Sequence, residues 1–422
     1  LLDPLLSTHP SSIQPLVLQH PHSPTSTQIG LVGKIHATDD FYNPILQWFQ
    51  SHPSPPVAII SDFFLGWTHN LASQIGVPRV VFWPSGAFGS SVFSCLWRDL
   101  PKNDEPDNDN FPISFPDVPN SPTYPWWQLP LAYRRYKEGE PDWEFLRNSM
   151  LANLTSWGVV FNSCTELERV YIDHVKKEVG HNRVWAVGPL LPPEDDSVGL
   201  TKRGGSSTVP PHEVMTWLDG KADDSVVYVC FGSQWALSKK QIASLAAALE
   251  CSGVHFIWCA KATDQGRADG DAGGILDELQ DRVGDRGFVI RGWAPQVAIL
   301  RHRAVGAFVT HCGWNSVLEG LEAGVMMLTW PLGSDQFSIA SLLVDQVGVA
   351  VRACEGGDQS VPDSAELSRL LAESVSGTRP ERAQVMRLRD AALNGVKGGS
   401  SGRDLEEFVK RLGELKSKKS CD

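Results

Sequence analysis

Short apolar runs alternate with stretches of helical periodicity along the chain, the pattern of a parallel α/β protein. In the first half, PPVAIISDFF reads as a strand ending at Ser61-Asp62, GWTHNLASQIG as a helix closing on Gly76, and PRVVFWPS as the next strand, a βαβ unit. WGVVFNSCTELE and RVWAVGPLLP resume strand character further on. Residues 100–145 are rich in Pro, Asp and Asn interleaved with aromatics, which predicts a long surface loop over a pocket. Pro192-Pro193, Gly204-Gly205 and Pro210-Pro211 then mark an interdomain linker. The second half is more regular, with strands predicted at 225–232, 255–260, 287–293, 305–313 and 325–331. Helices such as KKQIASLAAALECSG and SDQFSIASLLVDQVG separate them, giving a doubly wound parallel sheet. The tail GRDLEEFVKRLGELKSKK is an amphipathic helix whose stripe Leu405, Phe408, Val409 and Leu412 must pack on something.

Length and charge narrow the function. The 422 residues suit two domains, and a 42% hydrophobic content with 15 Trp and 17 Phe fills two cores. With 37 Lys and Arg against 49 Asp and Glu, the net charge of −12 repels phosphate backbones and anionic lipid, so nucleic acid and membrane surfaces are excluded as partners. The 8 cysteines form no CxxC pair and no zinc-like cluster with the histidines, which argues against a disulfide framework or a metal site and for a reducing, cytoplasmic setting. No apolar run is long enough to span a bilayer.

In open α/β sheets, ligands collect beyond the carboxyl ends of the strands, where helix N-termini offer free N–H groups. Those ends carry Phe231-Gly232-Ser233-Gln234, Trp293-Ala294-Pro295-Gln296, Thr310-His311-Cys312-Gly313-Trp314-Asn315-Ser316 and Trp330-Pro331-Leu332-Gly333-Ser334-Asp335-Gln336. Gly313 permits close backbone approach, and Trp314-Asn315-Ser316 opens a helix whose first turn presents unpaired amides to an anion such as a diphosphate. The plainer alternative is that Asn315 and Ser316 only cap that helix, and that His311 is a core histidine. Glu319, four residues past Asn315, shares its face and could accept both hydroxyls of a ribose, or be an ordinary solvated helix glutamate. Trp293 is either core filler or a stacking plate for a base. Asp335 and Gln336 open a further helix, as caps or as a grip on sugar hydroxyls. The Trp126-Trp127 pair and Trp143 either line an acceptor pocket or anchor loops. A P-loop and a GxGxxG fingerprint are both absent, which counts against a kinase and a nicotinamide oxidoreductase.

From Trp293 to Gln336, WAPQVAILRHRAVGAFVTHCGWNSVLEGLEAGVMMLTWPLGSDQ resembles the plant secondary product glycosyltransferase box, the UDP-sugar site of plant family 1 UDP-glycosyltransferases. VVYVCFGS, VFNSCTELE, VWAVGPL, ISDFFLGWT and GGSSGRDL resemble further landmarks of that family. The resemblance implies a GT-B fold, two Rossmann-like domains with parallel sheets facing across a cleft. Residues 1–195 would bind the acceptor, 196–212 link, 213–400 bind UDP-sugar, and 401–422 form a helix returning to the first domain. By position, Trp293 would stack on uracil, Gln296 and Glu319 bind ribose, and Ser233, His311, Asn315 and Ser316 hold the diphosphate. Trp314, Asp335 and Gln336 would contact the sugar, and Gln336 at the end of the box favours UDP-glucose. The implied reaction is an inverting, metal-independent and cofactor-free transfer of glucose to a hydroxyl of a phenolic small molecule such as a flavonoid, by a cytoplasmic monomer. The family's base is a histidine after the first N-terminal strand, oriented by an aspartate that Asp62 matches. His9, His20, His22, His36 and His69 stand outside that context, so the chain, which opens on Leu1, is expected to begin beyond that strand, with the first domain incomplete and catalysis weak. The alternatives are a UDP-sugar-binding protein without catalysis, or a transferase of another UDP-sugar.

Overall fold

The computed structural model describes residues 9, 12–19, 30–190, 207–261 and 272–419. Two parallel-sheet α/β domains are present. The first sheet is ordered β1-β2-β5-β6, from β1 (Ile59–Asp62), β2 (Arg79–Trp83), β5 (Gly158–Phe161) and β6 (Val184–Ala186), and β3 (Pro112–Ser114) with β4 (Thr123–Pro125) makes a separate antiparallel pair. The second sheet runs β12-β11-β10-β7-β8-β9, from β7 (Val226–Cys230), β8 (His255–Ala260), β9 (Gly287–Arg291), β10 (Val305–Thr310), β11 (Met326–Thr329) and β12 (Ala350–Arg352). Every neighbouring pair in it is parallel. Strands β7 and β10 are buried throughout, which explains why they read as unbroken Val-rich runs rather than as alternating ones.

By compactness the chain divides into one unit of residues 1–81, 136–158 and 412–422 and another of 82–135 and 159–411. In the first unit, Phe49, Ala72 and Val77 form a core with Trp48, Ile59 and Ile75 against it. The helix Thr68–Ile75 ends on Gly76 in the left-handed conformation, as its sequence indicated. Arg79, 2% exposed, is satisfied there by neutral acceptors. Its Nε donates to Ser61 and Thr68 hydroxyls at 2.9 Å, and its terminal nitrogens to Ser156 Oγ and Asn153 Oδ1.

The second unit holds the six-stranded sheet. A capping box, Ser238 with Gln241, starts the helix Lys239–Ser252. Three expectations need correction. Residues 100–145 are not one long loop: they contain the β3–β4 ladder, and Ile113, Phe115, Val118, Tyr124, Leu129 and Tyr133 are buried. Pro and Asp marked the turns there, while the aromatics between them were core. Strand β12 went unread because its three residues, Ala350–Arg352, are too short for a periodicity. The tail helix, Ser400–Lys419, buries Phe408 against Trp185 at 5.0 Å but leaves Leu405 and Val409 45% and 59% exposed. Its packing face is instead Ser401, Asp404 and Phe408, with the Asp404 carboxylate accepting the Ala186 amide at 2.8 Å. A polar anchor thus sets the helix rotation, which an apolar stripe could not reveal. The expected linker residues 196–206, with His20 and His22, lie outside the described residues.

Candidate functional site

A cavity of about 530 Å³ opens beyond the carboxyl ends of β7, β8 and β10. Ser233, Trp293, Gln296, His311, Trp314, Asn315, Ser316 and Glu319 all line it. Local chain geometry explains why. β10 ends at Thr310, the Cys312 backbone turns through a positive φ of 65°, and Gly313 begins the helix Trp314–Ala323 in extended conformation with no side-chain cap. The first-turn amides of that helix therefore have neither an intrahelical acceptor nor a capping oxygen, so the capping alternative for Asn315 and Ser316 does not apply. Uncapped amides with the positive end of the helix dipole favour a bound anion.

His311 sits between two glycines. A Cβ built on Gly232 would lie 2.6 Å from His311 Nε2, and one on Gly313 would lie 2.5 Å from it. The imidazole fills the space that these residues leave, so Gly313 serves the histidine first. Burial lowers the His311 pKa to about 4, so the ring is neutral and one nitrogen carries a proton while the other accepts. Its Nδ1 is buried with no hydrogen-bond partner among the described residues, an unusual state for a polar atom in a folded interior.

Gln296 opens the short helix Gln296–Leu300 and ties the next wall together. Its Nε2 donates to Glu319 Oε2 at 2.7 Å and Ser316 Oγ at 3.1 Å, while its Oε1 accepts from the Tyr228 hydroxyl at 3.2 Å. Glu319 is only 6% exposed, so it is not the solvated glutamate that its position on a helix allowed. A carboxylate held this way can accept hydroxyls of a diol, and the Trp293 ring beside it can meet a flat base.

The remaining residues are placed differently. Trp314 lines the cavity, but its indole N–H is donated to Asn162 O at 2.6 Å and so is already engaged. Asp335 and Gln336 do not line the cavity. Asp335 accepts the Ser85 hydroxyl at 2.8 Å beside Phe93, Leu129 and Phe337, and burial raises its pKa. Gln336 is buried, with Oε1 accepting the Leu332 and Gly333 amides, so only its Nε2 end is left to donate elsewhere. Asp62, in the other unit, caps the turn after β1 by accepting the Phe64 amide at 2.9 Å. Burial raises its pKa, while that amide and the charge of Arg79 oppose the rise. Trp126, Trp127 and Trp143 pack against Tyr133, Phe337 and Tyr136 respectively, and Trp143 does so from the first turn of the helix Pro141–Ala152.

Sequence reasoning missed Tyr228 and Lys261, which also line the cavity. Lys261 follows β8 directly, so reading that strand's end with the others would have found it. A tyrosine inside the apolar run VVYVC needs a partner for its hydroxyl, and that was the available signal for Tyr228.

A six-stranded parallel sheet with this cavity at its carboxyl edge and a second parallel-sheet domain match the GT-B fold of solved plant glycosyltransferases. Residues 188–360 match the family model "UDP-glucoronosyl and UDP-glucosyl transferase". A flavonol 3-O-glucosyltransferase of Arabidopsis thaliana is 50% identical, with 98% of this chain and 87% of that protein covered. The crystal structure of Arabidopsis thaliana UGT89C1 complexed with UDP-L-rhamnose superposes with a TM-score of 0.76 at 35% identity, covering 97% of this chain and 89% of that one. The same enzyme complexed with quercetin gives 0.73 at 34% identity, with the same coverage. The chain belongs to the plant family 1 UDP-glycosyltransferases, enzymes that transfer sugar from a UDP-sugar donor. No helix among the described residues is long and apolar enough to cross a membrane.

Proposed function

We propose that the protein transfers glucose from UDP-glucose to a phenolic hydroxyl, with a flavonol as the acceptor class and inversion at the anomeric carbon. The convergence of Trp293, Gln296, His311, Ser316 and Glu319 on one cavity above an uncapped helix N-terminus carries this reading. Uracil stacks on Trp293, the ribose diol donates to Glu319, and the diphosphate meets the amides of Trp314, Asn315 and Ser316 with Ser233 and neutral His311 beside them. Amide dipoles and a neutral imidazole stabilise the charge that grows on the leaving UDP, so this site asks for no metal and no further cofactor. By the resemblance, Asp62 would orient the base that takes the acceptor proton, a histidine to which no residue of this sequence matches. A phenol, with a pKa near about 10, leaves that base a modest task. Similarity to a flavonol 3-O-glucosyltransferase and to UGT89C1 in its quercetin complex supports the acceptor class.

The donor sugar rests on Gln336. Its spare Nε2 end suits a hexose hydroxyl, and Gln336→His is expected to lower UDP-glucose turnover by about fivefold while UDP affinity holds, since one neutral hydrogen bond is worth about 1 kcal/mol. The test is mass spectrometry of products from quercetin with UDP-glucose, UDP-galactose and UDP-L-rhamnose in parallel. A β-glucoside as the main product supports the reading, and a rhamnoside or galactoside as the main product overturns the donor. Tight UDP-glucose binding with no product from any phenol supports the alternative, a UDP-sugar-binding protein.

A further inference from the structure

The proposed mechanism leaves two thiols in the wall of the donor cavity without a role. Cys230 ends β7, and Cys259 is its direct partner on the adjacent parallel strand β8. Partnered residues on adjacent strands project to the same face with backbones about 4.8 Å apart. That separation falls within the roughly 4.4–6.8 Å between Cα atoms that a disulfide requires. Both thiols are free, both line the cavity, and no other described cysteine does. The neighbouring Cys259 thiol and the Gly232 amide hold the Cys230 thiol below its ordinary pKa despite burial, whereas the Cys230 sulfur and burial push Cys259 up. The thiolate is the nucleophilic form of a cysteine.

Cys259 has a second connection. Its Sγ–H donates to Gly292 O at 3.2 Å, and Gly292, at φ 115°, is the residue from which the Trp293 loop departs. Forming a disulfide would consume that proton and draw the sulfur toward β7, removing one of the contacts at the start of the loop, where the Gly292 amide also donates to Ala260 O at 2.8 Å and Trp293 O accepts the Thr208 amide at 2.9 Å.

We propose that Cys230 and Cys259 are an oxidisable dithiol in the donor cavity, closed to a disulfide by hydroperoxides, and that closure weakens nucleotide binding by unseating Trp293. In the first step the Cys230 thiolate attacks the hydroperoxide's distal oxygen, breaking the O–O bond and giving a sulfenic acid and, after protonation, an alcohol. In the second the Cys259 sulfur displaces hydroxide from the Cys230 sulfur, forming S–S and releasing water. Two thiols lose two electrons and two protons, and ROOH becomes ROH and H₂O. The chemistry depends only on the two thiols, while its effect on binding rests on the donor-site reading above.

The experiment treats the reduced full chain with hydrogen peroxide, maps disulfides by peptide mass spectrometry, and measures UDP affinity by calorimetry before and after. The expected result is a Cys230–Cys259 cross-linked peptide, a loss of UDP affinity of about tenfold or more, and recovery of both with dithiothreitol. Saturating UDP should slow cross-linking. Cys251→Ser, which removes an exposed cysteine outside the cavity, should keep its affinity and its sensitivity. Cys259→Ser, scored against its own untreated affinity, should lose the reversible component. Oxidation of Cys251 in the wild-type chain without any Cys230–Cys259 link overturns the dithiol. A link that leaves UDP affinity unchanged overturns the coupling to Trp293. If untreated protein fails to bind UDP, the donor-site reading falls, and the peptide map alone still decides for or against the dithiol.

Discussion

At the scale of single residues, the informative feature is a histidine that its surroundings keep uncharged. Burial lowers the His311 pKa to about 4, against an unfolded value of about 6.5. Between those values the unfolded chain binds a proton that the folded chain refuses, so stability is complete above about pH 6.5 and declines as pH falls toward 4, by about 3 kcal/mol in all. His311→Asn removes the titrating group, so its unfolding free energy should lack that component of the acid slope. Urea titrations of both proteins at pH 7, 5.5 and 4.5 give the difference, and parallel slopes would show that the ring is not buried as described. Glu319 works the other way, as an acceptor already holding Gln296 at 2.7 Å. Glu319→Ala removes the carboxylate proposed for the diol and frees Gln296, and the UDP-glucose KM should rise about 10- to 100-fold with kcat little changed, since a charged hydrogen bond is worth about 1.5–3 kcal/mol. Steady-state kinetics with one phenol tests it, and an unchanged KM removes the ribose role. His311 was legible in the sequence because it stood at a strand end, and Glu319 because it shares a helix face with Asn315 just beyond one. What neighbouring side chains do with their other atoms was not: the Trp314 indole is engaged by Asn162, a contact between distant segments that one-dimensional spacing cannot show, and the Gln336 side-chain carbonyl folds back on the Leu332 and Gly333 amides of its own turn.

At the scale of elements, helix N-termini recur with two different solutions. The helix Trp314–Ala323 leaves its amides open at the cavity, whereas Ala87–Asp99 has its first amides taken by a buried glutamate from another segment. Glu168, 1% exposed, accepts from Ala87 N at 2.9 Å, Phe88 N at 2.8 Å and Ser163 Oγ at 2.5 Å. Desolvation raises its pKa, and those three donors oppose the rise. Gly86 is required beside it, because a Cβ there would lie 2.5 Å from a Glu168 carboxylate oxygen. Glu168→Ala would strand two helix amides and a hydroxyl in the interior, with an expected loss of about 3 kcal/mol or more, and Glu168→Gln, which keeps one acceptor oxygen, about half of that. Chemical denaturation measures both, and an alanine variant as stable as the parent would mean that the amides find other acceptors. The open helix end was readable from a glycine, with no capping side chain, at position 313, but the occupied one was not, because its cap comes from 81 residues away. Long-range polar caps of this kind, like Asp404 on Ala186, are what the periodicity of an isolated segment leaves out.

For the whole molecule, the governing quantity is a net charge of −12 on a protein proposed to bind a dianionic nucleotide sugar. The far field opposes the approach of such a ligand, so affinity must come from short-range groups in the cavity. Among the described residues, Lys261 is the one Lys or Arg lining the cavity, and its ammonium is exposed near Gln234 O, at 3.4 Å. The proposed hold on the diphosphate is then mostly backbone amides and a neutral His311, groups that release no counterions when the anion binds. A site built from several basic side chains would lose affinity steeply as salt rises, because its ion pairs are screened over the roughly 10 Å Debye length at 0.1 M. Here salt screens the repulsive far field at least as much as it weakens the single cation, and the two effects oppose each other. The expected outcome is a UDP Kd that changes by less than about threefold between 20 and 300 mM NaCl, with Lys261→Ala shifting the balance toward tighter binding at high salt. Calorimetric titration across that range measures it. Weakening by tenfold or more would mean that basic side chains hold the diphosphate, and the assignment to the amides of Trp314, Asn315 and Ser316 would have to be given up.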